Sequence, residues 1–220
     1  MSDYKELLEV LLTGDGEKLE TLVKEALENG VAANEILNQG LIASMDVVGA
    51  RMESGEMFIP EVLMSAQAMG GAVEILKPLL SEEDSAVAGK VVLGTVKGDL
   101  HDIGKNLVAM MLESAGFEVI EMGVDVTPEK FVEAIKDNDA DILALSALLT
   151  TTMPMMAQTV KTIEESGIRD TVKILVGGAP VNQTFADEIG ADGYAPDAGS
   201  ASKLAKTLLK KSAYGSIQTN

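Results

Sequence analysis

The chain has 220 residues, 46% of them hydrophobic and 24% charged, with no cysteine, no tryptophan and one histidine. Its 35 acidic side chains against 17 basic ones give a net charge of −18, which repels phosphate backbones and anionic lipid surfaces and argues against nucleic-acid and membrane partners. Without cysteine there are no disulfides and no thiolate chemistry. No run approaches the ~18 apolar residues that span a bilayer, and Met1–Glu6 lacks the basic and apolar segments of a signal peptide, so a cytoplasmic protein is expected.

The predicted elements begin with helices. Leu7, Leu8, Leu11 and Leu12 form one apolar stripe, and Leu19, Leu22, Val23, Ala26 and Leu27 form a second at helical spacing, with glycines at 14, 16 and 30 between and after them. A third helix is predicted over Asn34–Met52 and a fourth from about Pro60, suited to a first helical turn, to Leu80. Four helices with short connections predict a four-helix bundle. Residues 1–88 hold 5 Lys and Arg against 17 Asp and Glu, a balance that serves solubility or docking onto basic partner surfaces. The small, acidic, aperiodic segment Ser81–Gly89 reads as a linker and hinge.

Five alternations of strand and helix follow. They pair Lys90–Val96 with Ile103–Ala115, Glu118–Met122 with Pro128–Asp137, and Ile142–Ser146 with Met153–Ser166; then Lys173–Val176 with Val181–Ile189, and Gly193–Ala195 with Ala198–Lys211. Strict alternation predicts an α/β fold, a five-stranded parallel sheet of Rossmann-like type with helices on both faces. The expected domains are a helical one over 1–88 and an α/β one over 89–213, with a tail at 214–220.

The chemistry concentrates in Gly98-Asp99-Leu100-His101-Asp102-Ile103-Gly104-Lys105-Asn106, on the loop joining the first strand to its helix. That edge of a parallel sheet is where ligands bind. A solitary histidine is commonly a plain loop side chain, and one imidazole cannot build a closed tetrahedral site. It can give one axial ligand to a metal already held in a macrocycle, while Asp99 accepts a hydrogen bond from the other ring nitrogen and fixes the tautomer. Thr152 stands where an N-cap of the helix at Met153 is expected.

Asp99-x-His101-x-x-Gly104 does not stand alone. Ser146-Ala147-Leu148 and Gly177-Gly178 close two later strands, and Met45–Gly49 and Gly55–Val62 mark the helical half. Together these segments resemble the cobalamin-binding module of methionine synthase and the corrinoid proteins of methyltransferase systems. The resemblance implies a flavodoxin-like strand order 2-1-3-4-5 and a cobalamin or related corrinoid as cofactor. It makes His101 the lower axial ligand of cobalt, displacing the cofactor's dimethylbenzimidazole, with Asp99 and Thr152 as its relay. The nucleotide tail would lie along Gly104, Ser146, Leu148, Thr150, Gly177 and Gly178, with Gly94 and Gly98 serving the same close approach. Met52 and Ile59 would press on the upper corrin face; methionine at the first departs from the aromatic residue of methionine synthase.

No catalytic triad, acid–base pair or phosphate loop accompanies these motifs. The resemblance therefore implies a non-autonomous carrier whose cobalt cycles between cob(I)alamin and its methylated form. One methyltransferase would deliver the methyl group from methanol, a methylamine, a quaternary amine or an aryl methyl ether. A second would pass it to tetrahydrofolate or coenzyme M, and a reductive activase would restore the cobalt. Two other classes use the module: cobalamin-dependent sensors, which generally carry a signalling or DNA-binding domain and a tryptophan in the cap, and the small subunits of carbon-skeleton mutases, which lack the helical bundle.

Overall fold

The computed structural model describes residues 3–80 and 88–215, so positions 81–87 of the expected hinge and 216–220 of the expected tail lie outside the described residues. The chain divides into two compact units, Met1–Val87 with Ser114–Gly116, and Ala88–Glu113 with Phe117–Asn220.

The first unit is helical: α1 (Asp3–Thr13), α2 (Gly16–Glu28), a short α3 (Ala33–Glu35), a π-helical segment Ile36–Ile42, α4 (Ala43–Glu53) and α5 (Ile59–Leu76). Asp15 starts α2 by accepting the Lys18 N–H at 3.1 Å. At the start of α5, which has Pro60 in its first turn, the Glu61 carboxylate accepts the Phe58 N–H at 2.8 Å. The stripes meet in a core that includes Leu7, Leu11, Leu19, Val23, Leu41, Val48, Val62 and Leu76. The helix expected over 34–52 is thus split by a widened segment in which Ile36, Gly40 and Leu41 are buried. A β-carbon on Gly40 would stand 3.0 Å from the Leu7 side chain, so this segment meets α1 through a bare backbone. The last helix ends at Leu76 and not at Leu80, giving way to a 3-10 turn Lys77–Leu79 at Pro78, whose ring removes the N–H that helix continuation needs.

The second unit alternates β1 (Lys90–Thr95), α6 (Ile103–Ser114), β2 (Glu118–Glu121), α7 (Pro128–Asn138), β3 (Ile142–Ser146) and α8 (Met153–Glu165). It continues with β4 (Lys173–Gly177), α9 (Gln183–Glu188), β5 (Gly193–Ala195) and α10 (Ala198–Gly215), which runs past the Lys211 end expected from sequence. All pairings are parallel and the strand order is β2-β1-β3-β4-β5, the flavodoxin-like order that the resemblance implies. Buried Val91, Val92 and Leu93 on β1 and Leu143, Ala144 and Leu145 on β3 account for near-continuous apolar strands, as a sheet covered on both faces requires. The direction of winding reverses between β1 and β3, the place where open α/β sheets bind ligands in a crevice beyond the carboxyl ends of the strands. No helix among the described residues is long and apolar enough to cross a membrane.

Candidate functional site

Asp99 and His101 leave the end of β1, and Leu148 and Thr152 leave the end of the adjacent β3, so both loops border that reversal. Asp99 is fully buried and joins them. Its Oδ1 lies 2.7 Å from His101 Nδ1 and accepts the His101 N–H at 3.1 Å. Its Oδ2 accepts the Leu148 N–H at 2.8 Å, the Leu149 N–H at 3.3 Å and the Thr152 hydroxyl at 2.7 Å. Burial pushes the Asp99 carboxyl up, but the hydrogen bonds from Thr152, Leu148 and His101 outweigh it and hold the group well below the usual carboxylate range. An ionised Asp99 can only accept, so in the neutral tautomer that fits this contact the half-exposed ring of His101 carries its proton on Nδ1 and presents Nε2 as the acceptor nitrogen.

Thr152 occupies the N-cap position of α8, yet its side chain makes no capping bond there. Its hydroxyl faces Asp99 and also lies 2.9 Å from the Leu149 carbonyl. Of the two roles expected for it, the structure shows the partner of the histidine–carboxylate pair. Buried Thr95 anchors the same loop by donating to the His101 carbonyl at 2.9 Å.

The glycines of the site differ in what surrounds them. A β-carbon on Gly94 would sit 2.7 Å from the Phe131 ring, so this glycine answers to core packing and not to a ligand. On Gly178, at φ +125°, it would fall 1.9 Å from the Ala147 carbonyl oxygen, where the loops after β3 and β4 close on each other. Gly104 is different: it lies in the first turn of α6 and a β-carbon there meets nothing within 4 Å. Alanine is the better helix former by up to about 1 kcal/mol, so the folded chain alone supplies no reason for glycine at 104. Ser146 and Gly177 end β3 and β4 side by side, and Leu148 and Thr150 lie exposed on the loop beyond Ser146.

Several features were not legible as site residues. Lys105, whose side chain is fully buried, pairs with Glu121 on β2 and with Asn106. A cation in the first turn of a helix opposes the helix dipole, and that mismatch was the available signal that Lys105 has a fixed partner. Leu100, Ile103, Leu148 and Leu149 are all exposed around His101, between 41% and 78%, an apolar surface that water alone does not favour. In the helical unit Phe58, Ile59, Leu63 and Met64 are exposed near the start of α5, while Met52 is half-buried.

The corrinoid that the resemblance implies is large, partly apolar and bears a metal whose other ligands are already in place. Among the described residues no three His, Cys, Asp or Glu side chains converge on a metal position. His101 offers one donor nitrogen, the leucines and Ile103 an apolar rim, and Gly104 unfilled space beside the loop. These features fit such a group.

Comparison with known proteins agrees. The B12 binding domain family matches residues 89–202, and a second family of the same description matches residues 4–77. A corrinoid protein of Desulfitobacterium hafniense is 41% identical over 96% of this chain and 99% of its own length. Dimethylamine corrinoid protein 1 of Methanosarcina acetivorans is 49% identical over 80% of this chain and 83% of its own. Among solved structures, a cobalamin-binding protein of Desulfitobacterium hafniense superposes with a TM-score of 0.82 at 32% identity, covering 94% of this chain and 98% of that one. The methanol:cobalamin methyltransferase complex of Methanosarcina barkeri matches with a TM-score of 0.79 at 29% identity, covering 95% of this chain and 80% of that one. The chain belongs to the B12-binding family, among the corrinoid proteins of methyltransferase systems, and its cofactor is cobalamin or a related corrinoid.

Proposed function

We propose that this chain carries a methyl group in the cytoplasm from a substrate-specific methyltransferase to a second methyltransferase, with tetrahydrofolate or coenzyme M as the final acceptor and a reductive activase in support. The observation that carries the reading is Asp99, which draws His101 and Thr152 into one hydrogen-bonded set across the strand-order reversal. The bound corrinoid supplies a cobalt able to accept and release the methyl group, and the protein tunes and shields it.

His101 would be the protein's ligand to the cobalt in this reading. The charge on Asp99 holds the proton on Nδ1 and raises the basicity of Nε2, the nitrogen free for the metal. Thr152 and the Leu148 N–H keep Asp99 ionised in a dry position. Gly104, Ser146, Leu148, Thr150, Gly177 and Gly178 border the path of the nucleotide tail. Met52 and exposed Ile59 would supply apolar contacts to the corrinoid. In this reading the donor is bound, and selected, by the partner methyltransferase. The relatives named for dimethylamine and trimethylamine make methylated amines the first donors to test, and the Methanosarcina barkeri complex makes methanol the second.

Protein reconstituted with cobalamin is expected to retain about one corrinoid through gel filtration, with an absorption spectrum in which the cofactor's own base is displaced. With a methylamine methyltransferase and its donor, the reduced corrinoid is expected to become methylated. Failure to retain a corrinoid would end the reading.

Gly104→Ala tests the tail path. The apoprotein should melt at the same temperature or slightly higher, because the position favours alanine and has room for it. Corrinoid affinity should fall about tenfold, within the ~1–3 kcal/mol that a misplaced methyl costs in a filled space. Unchanged affinity would remove Gly104 from the tail path.

A further inference from the structure

Asp125 is exposed, lies on the loop between β2 and α7, and has a backbone φ of 54°. Aspartate tolerates that left-handed conformation mainly when its short side chain bonds to nearby backbone. Here the side chain does something else: Asp125 Oδ1 accepts the Gly98 N–H at 2.7 Å, across 27 residues of sequence. The Asp125 N–H donates to the Asp99 carbonyl at 3.0 Å. One residue thus grips the Gly98–Asp99 segment on both sides of its central peptide.

Apart from the bonds to the Asp99 carboxylate and the Thr95 hydroxyl on the His101 carbonyl, the backbone of that segment has little else to hold it. Gly98 has a φ of 82° and a bare α-carbon, so it is the softest point of the loop that delivers Asp99. The Asp99 N–H bonds locally to the Val96 carbonyl at 3.1 Å. Among the described residues, the long-range backbone bonds of Gly98 and Asp99 both go to Asp125. The loop bearing Asp125 is itself fixed to β1, through Thr95 N–H to the Gly123 carbonyl, Val126 N–H to the Thr95 carbonyl, and the Val96–Val126 bridge. The Asp99 carboxylate must meet donors from three directions at 2.7 to 2.8 Å, and a loop free to pivot at Gly98 would not hold it there.

We propose that Asp125 is a positioning residue for the Asp99–His101 pair, clamping Gly98 and Asp99 so that the carboxylate keeps the proton on His101 Nδ1 and leaves Nε2 for the metal. The last clause rests on the corrinoid reading of the site; the clamp does not. Asp125→Gly removes the carboxylate while accepting the positive φ without strain. Asp125→Asn keeps an acceptor oxygen and tolerates the same φ, and serves as the rescue.

His101 is the only histidine of the chain, so its imidazole nitrogens give one unambiguous set of signals in 15N-labelled apoprotein at a fixed pH near 8. The parent and Asp125→Asn should show a hydrogen-bonded Nδ1–H tautomer. Asp125→Gly should lose that signature toward the Nε2–H tautomer of a free imidazole, while keeping the parent's far-ultraviolet circular dichroism. An Asp125→Gly protein with the parent's tautomer would overturn the proposal, as would an Asp125→Asn protein that behaves like the glycine variant.

In the Co(II) form of the loaded protein, axial nitrogen coupling should weaken in Asp125→Gly alone. Coupling missing from all three proteins, with the apoprotein pattern as expected, would overturn the ligand reading of His101 and leave the clamp standing.

Discussion

Asp99→Ala is expected to lower the melting temperature of the apoprotein's α/β unit by roughly 2–12 °C. The loss follows from the donors left behind: the Leu148 and His101 N–H groups lose their carboxylate, while the Thr152 hydroxyl still has the Leu149 carbonyl at 2.9 Å. Stranding such groups costs about 1–3 kcal/mol, and each kcal/mol is worth about 2–4 °C in a protein of this size. The pH dependence carries a sign. A carboxyl held below its ordinary value in the folded chain stabilises fully above the unfolded value of about 3.9, and that contribution drains away as the pH falls below it. The parent should therefore lose more stability than Asp99→Ala between about pH 5 and pH 2, and the two melting curves should converge in acid. Parallel acid profiles for parent and variant would show that Asp99 is protonated, or unpaired, at neutral pH.

His101→Ala is expected to divide stability from cofactor chemistry. The ring is 51% exposed and its removal opens no core cavity, so the melting temperature of the apoprotein should stay within the ~0.5 kcal/mol typical of surface substitutions. Corrinoid should still be retained through its nucleotide tail, but the Co(II) electron paramagnetic resonance spectrum should lose its axial nitrogen coupling. Methyl acceptance from a partner should fall by at least the ~10–100-fold seen when the immediate neighbours of metal ligands are removed. Identical coupling in parent and variant would exclude His101 as the ligand, since the chain has no other imidazole to replace it. The pair of variants is informative together: one perturbs the scaffold of the ligand, the other the ligand alone.

Much of the architecture was legible because it rests on local periodicity. The apolar stripes of α1 and α2 and the buried runs of β1, β3 and β4 are patterns a single chain displays without its neighbours, and their alternation implies a parallel sheet. What failed was also local in cause. The π-helical turn at Ile36–Ile42 keeps apolar residues at spacings close to those of an α-helix, so periodicity does not separate the two. The linker at 81–87 lies outside the described residues and stays an expectation.

By itself the sequence determined the order of elements, the loop that bears Asp99 and His101, and, through the Asp-x-His-x-x-Gly, Ser-x-Leu and Gly-Gly segments, a resemblance that the comparisons bear out. Only the tertiary structure decided which loop residues meet. Thr152 is 53 residues from Asp99 and Asp125 is 27 residues from Gly98; no periodicity links such positions, because adjacency across a sheet depends on strand order. It also separated glycines that look alike in sequence: Gly94 and Gly178 yield to neighbouring atoms of the chain, whereas Gly104 faces space that the chain leaves open. A composition counts glycines alike, and only packing distinguishes a closed contact from a vacant approach.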